Sequence, residues 1–134
     1  EAVIAARHGV SAMHDPTEGG IRAALHEIAF ASGVRLDVDL DRIRVLPPTA
    51  AICRHYGIDA LGLIGSGALL VTVAARRTSA LLHAWTRRGI AGHVIGAVRT
   101  GRGVRAIRDG RPARFPWLAR DEIITALLGR HRDR

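Results

Sequence analysis

Hydrophobic residues recur along this chain with two periods, and these periods predict both helices and strands. Residues 21–32 place their apolar side chains on one face of a helix, and Gly33 provides a stop at its C-terminal end. Directly afterwards, residues 34–40 alternate between apolar and charged side chains, which is typical of a half-buried strand. The first forty residues therefore already predict a helix followed by a strand.

The same patterns predict the remaining elements. We expect further helices over residues 1–9, 48–56, 77–88 and 118–128, and further strands over residues 10–14, 68–74, 94–98 and 104–107. Residues 100–103 predict a hairpin between the last two strands, and residues 129–134 are expected to fray. Because helices and strands are interspersed, we predict an α+β fold with three layers, in which helices flank a mixed β-sheet.

Composition narrows the class of protein. The chain has 134 residues, of which 48% are hydrophobic, so it fits one folded domain over residues 1–134 and is not a disordered segment. It has no apolar run of the roughly 20 residues that a membrane-spanning helix needs. It begins without methionine or a signal-peptide pattern, so we expect a fragment of a longer cytoplasmic protein with no membrane partner.

The net charge of +8 raises the question of a nucleic-acid partner. The basic residues are arginines that spread along the whole chain. Their densest group consists of Arg99, Arg102, Arg105, Arg108, Arg111 and Arg114. No aromatic residues are interleaved with this group to stack on bases, so an ordinary charged surface is favoured over a nucleic-acid site, and a weak patch for an anionic ligand stays open.

Cysteine and histidine usage argues against a metal site or a thiol nucleophile. The single cysteine, Cys53, lies on a predicted helix, where a small buried thiol is the favoured interpretation. One cysteine forms no internal disulfide, which agrees with a reducing compartment. None of the seven histidines has the spacing of a zinc pair, so we predict no metal ligands in this chain.

The segment of residues 14–20 is the strongest candidate for chemistry, because it joins a predicted strand to a predicted helix. Gly19 and Gly20 allow a ligand to approach the backbone, and the helix behind them offers unpaired N–H groups and a positive dipole end to a phosphate. Asp15 suits a metal ion, a ribose or an amide, and Thr17 suits a helix cap or a ligand hydrogen bond. On spacing alone, an ordinary capped turn is the favoured interpretation.

A second glycine-rich turn, Gly65-Ser66-Gly67, precedes the predicted strand at residues 68–74. Its backbone N–H groups could face an anion, although a loop that needs unusual dihedral angles is the simpler interpretation. Beside the first turn, His14 and Glu18 are auxiliary candidates. A histidine in such a place suits acid–base work, but a local hydrogen bond is its more common role.

The residues of the first turn and of the helix behind it resemble one known family. Residues 12–21 read AMHDPTEGGI, and the sequence continues with ALHEIA at residues 24–29 and ASGV at residues 31–34. Together with GSGALL at residues 65–70 and IGAV at residues 95–98, these motifs resemble AIR-synthase-related proteins, especially the HypE type of hydrogenase expression/formation protein. The resemblance covers most of the chain.

The resemblance implies a fold, a site and a parent protein. It implies the C-terminal domain of a PurM-like protein of two domains, in which a missing N-terminal domain holds most of the ATP and Mg²⁺ and builds a homodimer. It puts Asp15, Thr17, Gly19 and Gly20 nearest to phosphate or substrate, with the turn at residues 65–67 as second choice. The parent is then an ATP-utilising enzyme that matures a hydrogenase metal centre, and this chain alone is expected to be inactive.

The C-terminal end departs from the family pattern. In HypE proteins, a carboxamide carried on a C-terminal cysteine is dehydrated with ATP. This chain has no cysteine after Cys53, so our expectation does not extend to that cyanide-forming step. Residues 118–134 resemble instead the tails of other AIR-synthase-related proteins. The alternative function is a non-catalytic scaffold domain in a maturation complex.

Overall fold

The structure is a computed structural model that describes residues 1–118 and 120–129. The helices are α1 (Ala2–Arg7), α2 (Gly20–Ser32), α3 (Pro47–Tyr56), α4 (Ala75–Thr86) and α5 (Glu122–Gly129). The strands are β1 (Val10–His14), β2 (Arg35–Asp39), β3 (Leu70–Val73), β4 (Gly96–Arg99), β5 (Gly103–Arg108) and β6 (Arg111–Ala113). Short 3-10 turns occupy Leu40–Arg42 and Ala60–Gly62.

The described strands form two sheets. β1 and β3 pair in antiparallel orientation, and the larger sheet has the order β4-β2-β5-β6. Within the larger sheet, β2 pairs antiparallel with β4 and parallel with β5, and β5 pairs antiparallel with β6. The predicted class of mixed strands with flanking helices is confirmed, although the strands divide between two sheets instead of forming one.

The small sheet lies between two helical layers. On one side, Leu70 of β3 belongs to the core that α2 builds with the buried Leu25 and Ile28. On the other side, Val71 of β3 packs against a second buried cluster that includes Leu81 of α4. Because neighbouring strand residues point to opposite faces, this alternation covers both faces of the sheet and gives the three predicted layers.

Glycine and proline set the helix ends, as the sequence predicts. Gly33 ends α2 in the left-handed conformation, with φ +63°, and its N–H bonds back to the carbonyl groups of the last helical turn. Gly57 ends α3 in the same way, with φ +65°, and Pro47 stands at the first position of α3. These local signals fix the helix bounds to within a residue or two.

The predicted hairpin across residues 100–103 is wrong. β4 and β5 do not pair with each other, because β2 lies between them. The reason is that β2 carries the buried Leu36 and Val38 and is a central strand, so each of its edges takes one of the two later strands. Residues 100–103 cross the end of β2, and there the Gly103 N–H donates to the Val34 carbonyl at 3.1 Å.

The hairpin that does form joins β5 to β6, and the prediction from sequence missed it. Its turn is Asp109-Gly110, and both residues have positive φ, +51° and +69°. Asp-Gly is a preferred pair for a tight hairpin turn, because both central positions need that conformation. The signal was therefore present in the sequence.

The C-terminal part differs from its prediction at the start of the helix, because α5 begins at Glu122 rather than at residue 118. Phe115 is buried in the core, whereas Trp117 is 51% exposed. Fraying was expected over residues 129–134, of which Gly129 ends α5 and residues 130–134 lie outside the described residues. None of the described helices has the length and apolar character that crossing a membrane requires.

Candidate functional site

The first glycine-rich turn, residues 15–20, joins β1 directly to α2. Gly19 and Gly20 both have positive φ, +64° and +60°, and both are buried. The residue that caps α2 is Gly19, with no side-chain cap, so the capping role considered for Thr17 is wrong. Three side chains of the turn are exposed, namely those of Asp15, Thr17 and Glu18. The turn therefore has a buried backbone base and a polar outer rim.

The two predicted glycine-rich turns contact each other. The Gly65 N–H donates to the Pro16 carbonyl at 2.8 Å, and a Cβ on Gly65 would lie 2.9 Å from that same oxygen. A Cβ on Gly20 would overlap the Leu63 carbonyl oxygen just before the second turn. Only glycine permits such close approach at these positions. The structure therefore brings together the two motifs that the sequence marked separately.

The second turn is more open than the first. Ser66 and Gly67 are exposed, and a Cβ on Gly67 would meet nothing within 4 Å. Gly67 has φ +87°, and the Ala68 N–H bonds back to the Gly65 carbonyl at 3.0 Å, which closes the turn. Since Gly65 contacts Pro16, the hydroxyl of Ser66 belongs to the same rim as Asp15.

Asp121 is a site residue that the prediction from sequence missed. One carboxylate oxygen accepts from the Gly19 N–H at 3.0 Å, and the other accepts from the Ile123 N–H at 2.9 Å. The same side chain thus serves the N-terminal ends of both α2 and α5, where partial positive charge favours an anion. Asp121 therefore stands at the start of α5 and is also bonded to the first turn. No local sequence pattern predicts a contact between residues so far apart in sequence.

The segment before α5 runs along one face of α2 toward this contact. The Phe115 carbonyl lies 2.8 Å from Nε2 of His26, and the Pro116 carbonyl accepts from Arg22 at 3.4 Å. The contacted positions 26, 22 and 19 are spaced by one helical turn each. The C-terminal segment is therefore docked along α2 as far as Gly19.

Arg22 is the buried charge of this region. It is 9% exposed, forms an ion pair with Asp59, and its guanidinium carbon lies 4.3 Å from the centre of the Phe115 ring. Its Nε has no hydrogen-bond partner. The other carboxylate oxygen of Asp59 accepts from the Leu61 N–H at 3.0 Å and so fixes the 3-10 turn that packs against Gly20. Arg22 thus stabilises the first turn through Asp59 and the 3-10 turn.

His14 ties the first turn to α2. Its Nδ1 lies 2.8 Å from the Asp15 carbonyl oxygen, and its Nε2 lies 2.6 Å from a carboxylate oxygen of Glu27. Carbonyl and carboxylate oxygens only accept, so either contact is a hydrogen bond where the facing ring nitrogen of His14 carries a proton. This geometry fits a local hydrogen-bonding role at the edge of the turn.

The other candidates for a functional site are a metal site, the Cys53 thiol and a groove, and each has less support than the glycine turns. Among residues 1–118 and 120–129, no three histidine, cysteine or acidic side chains converge in a way that could hold a metal ion. Cys53 is buried, and desolvation raises the pKa of its thiol, which disfavours a nucleophilic thiolate.

A groove of about 510 Å³ lies between β1, β3, β4 and the end of α2. No charged residue lines it, so the glycine turns suit an anion better.

These features define the class of the chain: an α+β domain whose two interlocked glycine turns stand at a helix N-terminus, an arrangement that suits an anionic ligand. Residues 1–109 match the family described as "AIR synthase related protein, C-terminal domain". The chain belongs to this family.

Sequence relatives narrow the likeness to one type of protein. The chain is 39% identical over 105 residues to the carbamoyl dehydratase HypE of Cupriavidus necator, which covers 77% of this chain and 28% of that protein. It is 35% identical over 100 residues to the carbamoyl dehydratase HypE of Escherichia coli, which covers 72% of this chain and 30% of that protein. The chain thus spans less than a third of the length of these relatives.

Solved structures agree with this likeness. The crystal structure of E. coli HypE, a hydrogenase maturation protein, superposes with a TM-score of 0.76 at 28% identity, covering 84% of this chain and 36% of that one. A HypE structure in complex with ATP has a TM-score of 0.76 and covers 84% of this chain and 37% of that one. The structure of a HypE–HypF complex has a TM-score of 0.74 and covers 84% of this chain and 39% of that one. The last two are 24% identical and support the fold alone.

Proposed function

We propose that this chain is the C-terminal domain of an ATP-utilising enzyme of the HypE type, which acts in the maturation of a hydrogenase metal centre. In this proposal the two glycine turns form one wall of a nucleotide or substrate cleft. An N-terminal ATP-binding domain of the same protein supplies the opposite wall. The relatives that this chain resembles include carbamoyl dehydratases, and the chain spans only 28% of the first of them.

The observation that supports this proposal most directly is the occupant of the Gly19 amide. This N–H already donates to an anionic oxygen, that of Asp121, at 3.0 Å. A phosphate or carboxylate ligand that displaced Asp121 would make the same kind of bond with one of its own oxygens. The amide is therefore placed and oriented for an anion.

The exposed rim supplies the groups that would meet the ligand. Asp15 offers a carboxylate that accepts from an amide or a ribose hydroxyl, and Thr17 and Ser66 offer hydroxyls that donate or accept. Gly19 and Gly20 keep side chains away from the backbone amides. His14 and Glu18 stay auxiliary: the first holds the Asp15 carbonyl, and the second adds a further exposed carboxylate.

The cofactor of the proposed enzyme is Mg-ATP, which supplies the phosphoryl group that drives the reaction. The described part of the chain holds no cluster of three metal-ligating side chains. In this proposal Mg²⁺ finds its ligands mainly on the N-terminal domain. In solution we expect the parent to form a homodimer in the cytoplasm and to bind a maturation partner, since a relative of this fold is known in complex with HypF.

Mg-ATP binding to the parent protein tests the proposal. We expect Asp15→Ala and Thr17→Ala to weaken binding or lower turnover by roughly 10- to 100-fold, the usual effect of losing a hydrogen bond to a charged ligand. Thr100→Ala, an exposed threonine between β4 and β5, is the matched control and should change little.

Two results would count against the proposal. A parent protein that binds no Mg-ATP would remove the enzymatic function altogether. Normal turnover after both Asp15→Ala and Thr17→Ala would show that the turn does not face the ligand. In that case a scaffold role in a maturation complex would be the better description.

A further inference from the structure

The four-stranded sheet has one face without a helical cover among the described residues. Its inner face carries Leu36, Val38 and Ala106, which are buried against α2. We define the opposite surface as the outer face, because strand residues alternate between the two sides. The outer face consists of Arg35 and Asp37 from β2, Arg99 from β4, Arg105 and Ile107 from β5, and Pro112 from β6.

The outer face is open to solvent, as one face of a sheet with antiparallel pairings commonly is. Here Arg99, Arg105, Ile107 and Pro112 are all exposed, and Ile107 keeps 42% of its surface in water. The only helix that packs extensively on β2 and β5 within residues 1–118 and 120–129 is α2, on the inner side. The outer face therefore exposes both apolar and charged side chains to solvent.

The charges of the outer face are unbalanced. Arg35 donates to both oxygens of Asp37, at 2.8 and 3.2 Å, and Nε of Arg99 lies 3.8 Å from the same carboxylate. Arg105 stands directly opposite Asp37 in the register. The hydrogen bond from Arg35, followed by the charges of Arg105 and Arg99, lowers the pKa of Asp37 and keeps it ionised. Two guanidinium groups thus contact one carboxylate, and a third stands on the neighbouring strand.

The remaining acidic group does not correct this imbalance. Asp39, the next residue of β2 on this side, is engaged by Arg42, with Nε 3.1 Å from its carboxylate. The arginines around Asp37 therefore present unused N–H donors to solvent. A guanidinium fork of this kind pairs best with an additional carboxylate or phosphate group.

The composition of the outer face distinguishes between these two anions. A nucleic acid would gain no stacking here, since the outer face as defined contains no aromatic ring. A protein surface would cover Ile107 and Pro112 and would bring single carboxylates to Arg99 and Arg105. Arginine beside apolar residues is also characteristic of protein interfaces.

From these contacts we infer that the outer face is a docking surface for an acidic surface of a partner protein. The carboxylates of the partner complete the charge balance around Asp37, and its apolar atoms cover Ile107 and Pro112. This inference does not depend on the proposed enzymatic function, because none of the outer-face residues belongs to the glycine turns.

Binding of a defined acidic peptide tests the inference. The probe is a short synthetic peptide in which glutamates alternate with valines, compared with its glutamine counterpart and with a single-stranded oligonucleotide of equal charge. Backbone amide shifts of the 134-residue chain locate the binding surface. We expect the glutamate peptide to shift β2, β4 and β5, and to bind more tightly than the other two probes at the same ionic strength.

Variants of the outer face give effects of opposite sign. Arg99→Ala with Arg105→Ala should weaken the glutamate peptide about tenfold, because two exposed charge pairs are lost. Asp37→Asn frees the Arg35 fork and should strengthen binding about twofold to fivefold. If these residues had only a structural role, Asp37→Asn would not bind the peptide more tightly. Arg54→Ala with Arg88→Ala, two exposed arginines on other surfaces, removes the same charge and is the control.

Several outcomes would overturn the inference. Equal weakening by both double variants would mean that only bulk charge matters. Tighter binding of the oligonucleotide on the same strands would identify a nucleic-acid surface instead. Shifts confined to another part of the chain, or weaker binding after Asp37→Asn, would also exclude the outer face as the docking site.

Discussion

The two glycine turns differ in how firmly the rest of the chain holds them. The first turn is fixed from several directions: Gly20 lies against the 3-10 turn, Gly19 donates to Asp121, and His14 holds the Asp15 carbonyl. The second turn contacts the first at Gly65 and then projects into solvent, where a Cβ on Gly67 would meet nothing within 4 Å.

For the proposed site, this difference predicts that the two turns have different roles in binding. A rigid turn presents backbone amides at fixed positions, which favours recognition of an anion without a cost of ordering on binding. An open turn adapts its backbone and its Ser66 hydroxyl to whatever ligand is present. We expect the first turn to set the position of the ligand and the second to adjust to its shape.

The largest expected difference comes from one methyl group placed in each turn. Gly20→Ala combines a strained positive φ with an overlap against the Leu63 carbonyl, and we expect a loss of about 3–5 kcal/mol in the free energy of unfolding. Gly67→Ala has the strain alone and should lose about 1 kcal/mol. Chemical denaturation of both variants measures the contrast. Equal losses would mean that the two turns are equally constrained.

Removing the Asp121 carboxylate is the next largest change. Asp121→Ala deletes a charge-assisted hydrogen bond to Gly19 and the cap of α5, and we expect a loss of about 2 kcal/mol. Asp121→Asn keeps one accepting oxygen, so its stability should fall between that of Asp121→Ala and that of the wild type. Amide exchange of Gly19 and Ile123 should accelerate together.

Glu18→Ala is the matched control for Asp121→Ala. It removes an exposed carboxylate from the first turn, and the expected change in stability is within about 0.5 kcal/mol. If Asp121→Ala were as mild as Glu18→Ala, the C-terminal segment would not help to hold the first turn, and the two turns would be more alike than their contacts imply.

The sequence predicted what depends on near neighbours and missed what depends on distant ones. The bounds of α2, α3 and β2 follow from local periodicity and from caps such as Gly33, and each was predicted within two residues. The contact of Asp121 with Gly19 and the place of β2 between β4 and β5 join segments far apart in sequence. No single window of sequence contains such information.

The candidate site shows the same division. Both glycine turns were recognisable from composition, but their mutual contact at Pro16 and Gly65 required the fold. The same holds for the partners of His14 and Arg22, which lie on elements that only tertiary packing brings near. By contrast, the Asp109-Gly110 hairpin was readable from local chemistry and was simply overlooked.

A smaller effect is expected where the first turn is tied to α2 through His14. Glu27→Gln keeps an oxygen that accepts from His14 but removes the negative charge, and the pair is partly exposed. We therefore expect a loss of about 0.5 kcal/mol in denaturation experiments. The ring nitrogen signals of His14, followed by NMR, should move in this variant. An unchanged His14 spectrum would mean that Glu27 does not hold the turn in solution.

The smallest effect on stability belongs to the tip of the second turn. The Ser66 side chain is exposed, so Ser66→Ala should change the free energy of unfolding by less than about 0.5 kcal/mol. Its proposed role in ligand binding is separate from stability, since a hydroxyl that does not stabilise the fold is available to bind a ligand. A variant that unfolds like the wild type, yet binds Mg-ATP more weakly in the parent protein, would separate binding from folding at this turn. If Ser66→Ala instead destabilised the chain by more than about 1 kcal/mol, the hydroxyl would be part of the folded framework, and the second turn would be held as firmly as the first.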